Sequence, residues 1–138
     1  MLKKILAIIF VDQITKLIFG HRDFFVGPLH VHTMKNFGLS FAQNFGTAIN
    51  LILIAIGLGL FIYYYWRHRA TMADSHQLGF AFVFAGCFSN LFDRAVHGYV
   101  LDFLDIGWGF TFNLADVVIL VGIILILLPL RNGDKLVK

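Results

Sequence analysis

Asp102 and Asp116 are the two residues of this chain best suited to act on a bond together. All eight acidic residues are aspartates, and four of them, Asp93, Asp102, Asp105 and Asp116, fall between Gly86 and Asp116. Asn90, Arg94 and Asn113 lie among them, and the sequence on both sides is almost purely apolar. Two carboxylates held close cannot both ionise cheaply, so they share one proton. One then activates water while the other protonates a carbonyl oxygen, as in an aspartic peptidase. Asp102 sits in a strand-like segment. Asp116 sits in the first turn of an apolar helix just after Asn113, where the plainer reading is an acid favoured by the helix dipole.

The surrounding polar residues are spaced to support such a pair. Asn90, Asp93 and Arg94 stand at i, i+3 and i+4 and share one face of a helix. Gly86, one turn earlier on that face, permits close approach of a backbone or a ligand. Arg94 can hold Asp93, fix a carboxylate or bind substrate carbonyls through its fork of donors. Asp12 and Lys16, four apart in an apolar run, are expected to pair as structural support. Asn36 opens a turn followed by apolar residues. His30 and His32 point to one face of a strand and could bind a metal. The chain has no glutamate and no His-Glu-x-x-His pattern, so neither metal nor cofactor is assigned. The single cysteine, Cys87, reads as a small packing residue.

These residues need elements to carry them, and the composition says where those elements lie. Apolar residues make up 59% of the 138 and charged residues 14%, with a mean hydropathy of +0.80. Soluble domains carry roughly 25% charged residues, so the chain reads as a single integral membrane domain. A net charge of +3 is too small to suggest nucleic acid. Four spans are expected, over about residues 5–20, 46–66, 72–92 and 115–130, with outer loops over about 21–45 and 93–114. The first and last are short against the roughly 17–25 residues a span needs. Lys3 and Lys4 before an apolar run resemble a signal peptide, but Asp12 and Lys16 interrupt it and no cleavage site follows.

Charge asymmetry then orients the spans. Lys3, Lys4, Arg67, Arg69, Arg131, Lys135 and Lys138 fall on one side, and Arg22, Lys35 and Arg94 on the other. Basic loops stay inside, which puts both termini in the cytoplasm and the concentrated aspartates at the outer face. The outer segments are strand-like. Leu29 to Thr33 alternates apolar with polar after Phe24 to Val26 and a Gly27-Pro28 turn. Val100 to Ile106 and Phe110 to Phe112 flank Gly107-Trp108-Gly109 as a hairpin. The expected fold is therefore an all-α membrane protein, a bundle of four transmembrane helices with a small extracytoplasmic β-sheet. A small proton-coupled carrier is the alternative function, although a relay needs acids at several depths and only Asp12 is deep. A non-catalytic scaffold would have no need of two aspartates flanked by asparagines.

Taken together these motifs resemble the lipoprotein signal peptidase family, also called signal peptidase II. The matching pieces are Asp12-Gln13-Ile14-Thr15-Lys16, Asn36-x-Gly38-x-x-Phe41, Gly86-x-x-x-Asn90-x-x-Asp93-Arg94, Gly98-x-Val100-x-Asp102-Phe103 and Phe112-Asn113-x-Ala115-Asp116. They occur in the family's order and span nearly the whole chain, although Ser89 stands where the family often has glycine. The resemblance implies that Asp102 and Asp116 are a catalytic dyad. It implies that Asn36, Gly86, Asn90, Arg94, Asn113 and Ala115 line or order the site, with Asp12 behind it. It also implies a monomeric enzyme in the bacterial cytoplasmic membrane, in contact with lipid. The substrate would be a prolipoprotein bearing diacylglycerol on its cysteine, cut just before that residue.

Overall fold

The chain is seen in a computed structural model that describes residues 1–38 and 46–129. Ser40, Phe41, the expected end of the last span at residue 130, and the basic residues Arg131, Lys135 and Lys138 lie outside the described residues. Four α-helices and four strands follow in the order α1 (Leu2–Phe19), β1 (Phe24–Val26), β2 (Leu29–Asn36), α2 (Thr47–His68), α3 (Asp74–His97), β3 (Val100–Asp105), β4 (Thr111–Phe112) and α4 (Leu114–Leu127). A short 3-10 turn, Arg69–Thr71, joins α2 to α3. All four expected helices and both expected hairpins are present. The main difference in extent is α3, which runs past the expected end at about residue 92 to His97 and so holds Asp93 and Arg94 on the helical face they are expected to share with Asn90. Gly98 stops it, in a left-handed conformation (φ 80°) that suits glycine.

The strands form one antiparallel sheet in the order β1-β2-β3-β4. Gly27, at φ 59°, makes the turn between β1 and β2, and Gly107 and Gly109, at φ 79° and 83°, make the turn between β3 and β4. In β2–β3 pairing His30 faces Asp105, Met34 faces Asp102 and Asn36 faces Val100, with an irregularity between Val31 and Met34. The two hairpins, separated by α2 and α3 in the sequence, thus meet along β2 and β3.

The bundle is polar inside and apolar outside. Asp12, Lys16, Asn50, Ser89, Asn90, Asp93 and Arg94 are buried, whereas Leu6, Phe10, Leu17, Ile52, Leu60, Phe92, Leu120 and Leu127 are exposed. Water would penalise so much open apolar surface. Among the described residues only Ala48–Thr71 is long and apolar enough by itself to cross a membrane, and Leu114–Leu127 is a shorter apolar helix. The charged groups on α1 and α3 explain why those helices do not read as spans alone: they are solvated by one another inside the bundle.

An apolar cluster of Ile5, Leu58, Tyr65, Met72, Phe80 and Phe84 holds the end of the bundle away from the sheet. The rings of Phe61 and Phe80 stack at 4.6 Å there, and Tyr65 meets Phe84 edge-on at 5.5 Å. Helices α3 and α4 touch backbone to backbone. A Cβ on Gly79 would lie 2.7 Å from the Gly122 carbonyl oxygen, and one on Gly86 would lie 2.5 Å from that of Ala115. Small residues facing one another are the usual way for membrane helices to approach so closely. The approach that Gly86 permits is therefore that of a backbone, α4, and it brings the start of α4 against the end of α3.

Candidate active site

Helix α4 begins at a cap that already contains half the site. Asn113 is the N-cap residue, its side-chain oxygen accepting the Asp116 N–H at 3.1 Å, while Asp116 Oδ2 accepts the Asn113 N–H at 3.1 Å. This reciprocal box fixes the Asp116 rotamer by local sequence alone. The side-chain amide of Asn113 remains free to reach outward, and it donates to Asp102 Oδ1 at 2.6 Å. Asp102 Oδ2 accepts the Asn36 amide at 2.9 Å, from the neighbouring strand. Asp116 Oδ1 accepts the Asn90 amide at 2.8 Å, from α3. Each of the four carboxylate oxygens thus takes one N–H, and all come from three asparagines. A neutral amide orients a carboxylate without cancelling its charge.

The two carboxylates line one cavity of about 1020 Å³ together with Asn36, Asn90 and Arg94. Asp102 is 1% exposed. Burial pushes its carboxyl up to about 6, helped by the charge of Asp116 and opposed by the amides of Asn36 and Asn113. Apolar side chains of Ile54, Leu91, Phe112 and Ile119 form other parts of the wall.

Behind this cavity lies a buried ionic cluster. Lys16 Nζ lies 2.7 Å from Asp12 Oδ2 and 2.6 Å from Asp93 Oδ2. It also donates to Asn90 Oδ1 at 3.0 Å. Asn90 therefore receives the lysine on its oxygen and presents its amide to Asp116. The other oxygen of Asp12 accepts the Ala115 N–H at 2.8 Å, so this carboxylate anchors the first turn of α4. The expected pairing of Asp12 with Lys16 is present, but Asp93 is bound to Lys16 and not to Arg94. Lysine can serve both carboxylates because it stands in the last turn of α1, one turn after Asp12 and within reach of Asp93 on α3.

Arg94 is turned instead toward the sheet end. Its Nη2 donates to the Gly38 carbonyl at 2.6 Å and its Nη1 to the Asn90 carbonyl at 3.3 Å. The Asn36 side chain accepts the Gly38 N–H at 3.0 Å, so Arg94 steadies the turn that holds Asn36 against Asp102. Lysine in place of Arg94 keeps the charge but not the planar fork. Losing one hydrogen bond to a charged group is worth about 1.5–3 kcal/mol. We expect Arg94→Lys to lower kcat/KM by about tenfold or more at unchanged expression. Equal activity of the two proteins would reduce Arg94 to a helix anchor.

The structure thus gathers Asn36, Asn90, Arg94, Asp102 and Asp116 at one cavity, ties both aspartates to the buried Asn113, and sets Asp12, Lys16 and Asp93 behind them. Gly86 and Ala115 act through the α3–α4 contact. Two contributors were not legible as such. Ser89 donates to Asp12 Oδ2 at 2.6 Å, and Gln13 donates to both Ser89, at 3.0 Å, and Asp93, at 2.8 Å. Gln13 stood only inside the Asp12–Lys16 motif and Ser89 only as a departure from the family's glycine, and no role came with either.

A family model described as signal peptidase (SPase) II matches residues 4–131. The chain belongs to the signal peptidase II family. Its relatives include a lipoprotein signal peptidase of Syntrophomonas wolfei, 31% identical over 94% of this chain and 92% of that one. The lipoprotein signal peptidase of Photorhabdus laumondii is 32% identical over 74% of this chain and 72% of that one. Two solved structures of a bacterial membrane enzyme are similar in fold. One has a TM-score of 0.78 at 28% identity, covering 91% of this chain and 83% of that one. The other has a TM-score of 0.76, also at 28% identity, with 91% and 88% covered. This signal peptidase II is therefore an integral membrane protein and an aspartic-type peptidase, which decides against the carrier reading.

Proposed function

We propose that Asp102 and Asp116 are the catalytic pair with which this signal peptidase II removes the signal peptide from a diacylglyceryl-modified prolipoprotein. The observation that carries this reading is the set of amide donors on all four oxygens of two carboxylates at one cavity wall. Such a pair, holding a single proton, is poised for hydrolysis. The ionised carboxylate takes a proton from water, and the oxygen attacks the scissile carbonyl carbon. The protonated carboxyl gives its proton to the carbonyl oxygen, forming a tetrahedral diol. Collapse of that diol breaks the C–N bond, and a carboxyl returns a proton to the departing amine of the cysteine. The apolar part of the cavity wall suits the acyl chains of that cysteine.

In this reading all four helices cross the bilayer as one domain, and the protein works as a monomer in direct contact with lipid. Lys3 and Lys4 at the start of α1 lie at the same end as Arg67 and Arg69 at the end of α2. Arg22 and Lys35 lie at the sheet end. That division favours cytoplasmic termini and a site at the outer face of the bacterial cytoplasmic membrane. Arg69 lies over the Trp66 ring at 3.9 Å and Lys35 over Tyr99 at 4.8 Å, as suits residues at two membrane boundaries. Purified protein should cleave a peptide whose cysteine carries diacylglycerol and leave the unmodified peptide intact. Equal cleavage of both peptides would remove the lipid from the recognition.

The raised Asp102 value sets the direction of the pH response. Below about 6 Asp102 keeps a proton; as pH rises through that region it ionises and the pair loses this acid. We expect kcat/KM, which reports the free enzyme, to fall as pH rises through that region. The fall belongs to the pair rather than to one residue. Substrate lipid dries the site further, so the same limb of kcat should lie higher. Stability follows the same sign. A carboxyl raised by folding contributes most below its unfolded value and loses that contribution as pH rises through about 6. Asp102→Asn, neutral throughout, should flatten this part of the stability curve; an unchanged curve would show that another group sets it.

A further inference from the structure

The sheet carries a second cluster of chemistry-bearing side chains that the peptidase reaction does not use. His30 and His32 stand two apart on β2, and Asp105 pairs with His30 across the strand boundary on β3. One ligand atom from each, two ring nitrogens and a carboxylate oxygen, lie within 4.8 Å of one another. Asp105 is three positions from Asp102 on the same strand, so alternation turns it to the opposite face of the sheet. None of the three lines the cavity that holds Asp102 and Asp116.

We propose that His30, His32 and Asp105 form a binding site for a divalent transition metal of the zinc class. Two imidazoles with a carboxylate are a donor set that zinc accepts and that magnesium and calcium do not favour. Bonds of about 2.0–2.1 Å put the corners of a tetrahedron about 3.4 Å apart. His32 Nε2 and Asp105 Oδ2 are already 3.3 Å apart. All three ligand atoms lie within 4.8 Å of one another, so the remaining distances to be closed are short.

The groups around the three residues behave as a supporting layer. Asp105 Oδ1 accepts the Gly107 N–H at 2.7 Å, which orients the carboxylate and leaves Oδ2 toward the histidines. The two imidazoles stack with centroids 4.4 Å apart, and the Phe25 ring covers His30 at 4.1 Å. Asp23 Oδ1 lies 2.8 Å from His30 Nε2, where it can hold the ring or supply a fourth ligand. Partners of this kind fix the ring orientation of metal-binding histidines. The ligand side chains are 28%, 21% and 27% exposed for His30, His32 and Asp105, open enough for an ion to enter.

A bound ion would tie β2 to β3 at the end of the sheet away from Asn36 and Asp102. Its effect is that of a staple between two hairpins that are distant in sequence. The test uses the purified full-length protein, stripped with a chelator and titrated with zinc against a chromophoric indicator. One equivalent is expected to bind, with a rise in Tm. His32→Ala and Asp105→Asn should each weaken that binding by tenfold or more and abolish the rise. Asp23→Asn should weaken it less. If the doubly substituted His32→Ala, Asp105→Asn protein binds zinc as tightly as the unaltered one, the metal sits on other histidines and the proposal fails. It fails equally if the unaltered protein takes up no zinc.

Discussion

Asparagine in place of either Asp102 or Asp116 is expected to abolish cleavage while leaving the protein folded in the membrane. General acid–base action contributes roughly 10²–10⁴-fold, and here each carboxylate is useful only with the other. The loss from one substitution should therefore be nearly as large as the loss from both. Asparagine keeps much of the hydrogen-bonding geometry. At position 116 it can still accept the Asn113 N–H through its carbonyl oxygen, so the α4 cap survives. The capping box makes this substitution the more informative of the two. If Asp116 serves only as a helix cap, Asp116→Asn changes Tm slightly and activity little. If it is half of the catalytic pair, activity disappears with Tm preserved. Rates on a lipid-modified peptide, taken beside thermal unfolding of the same preparations, decide between the two. Near-normal turnover by either variant would remove that residue from the chemistry.

The next largest effect is expected at Lys16, through stability. This lysine is 6% exposed, and the carboxylates it serves, on Asp12 and Asp93, are 0% and 5% exposed. Lys16→Met keeps the length of the side chain and leaves two buried carboxylates without their cation. Breaking a buried ion pair from one side costs roughly 3–5 kcal/mol, so Tm should fall on the order of 10 °C or more. Activity should fall as well, because Lys16 sets the Asn90 amide that holds Asp116. Adding Asp93→Asn to Lys16→Met removes one orphaned charge and should recover part of the lost Tm. An unchanged Tm in Lys16→Met would mean that the carboxylates are satisfied without it.

Much of the fold is legible along the chain because its signals are local. Apolar runs, the Gly27-Pro28 turn, the Gly107-Trp108-Gly109 turn and the alternation in β2 each act within a few residues. The helix that begins at Asn113 is legible for the same reason, since its cap is a four-residue device. The end of α3 was less legible. The spacing of Asn90, Asp93 and Arg94 shows that they share a helix face, but not what holds that face in the bundle, which is the lysine of α1 for Asp93 and the Gly38 carbonyl for Arg94. That Arg94 reaches the Gly38 carbonyl could not be read at all, because it is a backbone oxygen far away in sequence.

By itself the sequence determined that this is a membrane protein with a dense group of aspartates and asparagines at one end of its helices. Composition and motif order are properties of the chain, and they also carry its family membership. The tertiary structure alone decided which polar groups share a site. Lys16 had two acids within helical or topological reach and binds both, because α1 crosses α3 at that level. Asn36 meets Asp102 because β2 pairs with β3. Asp105 joins His30 and His32 through the same pairing, on the other face. Each of these contacts depends on the register between two strands or the crossing of two helices. Those are set by the packing of whole elements, such as Gly86 against the backbone of α4, and no local run of residues encodes them.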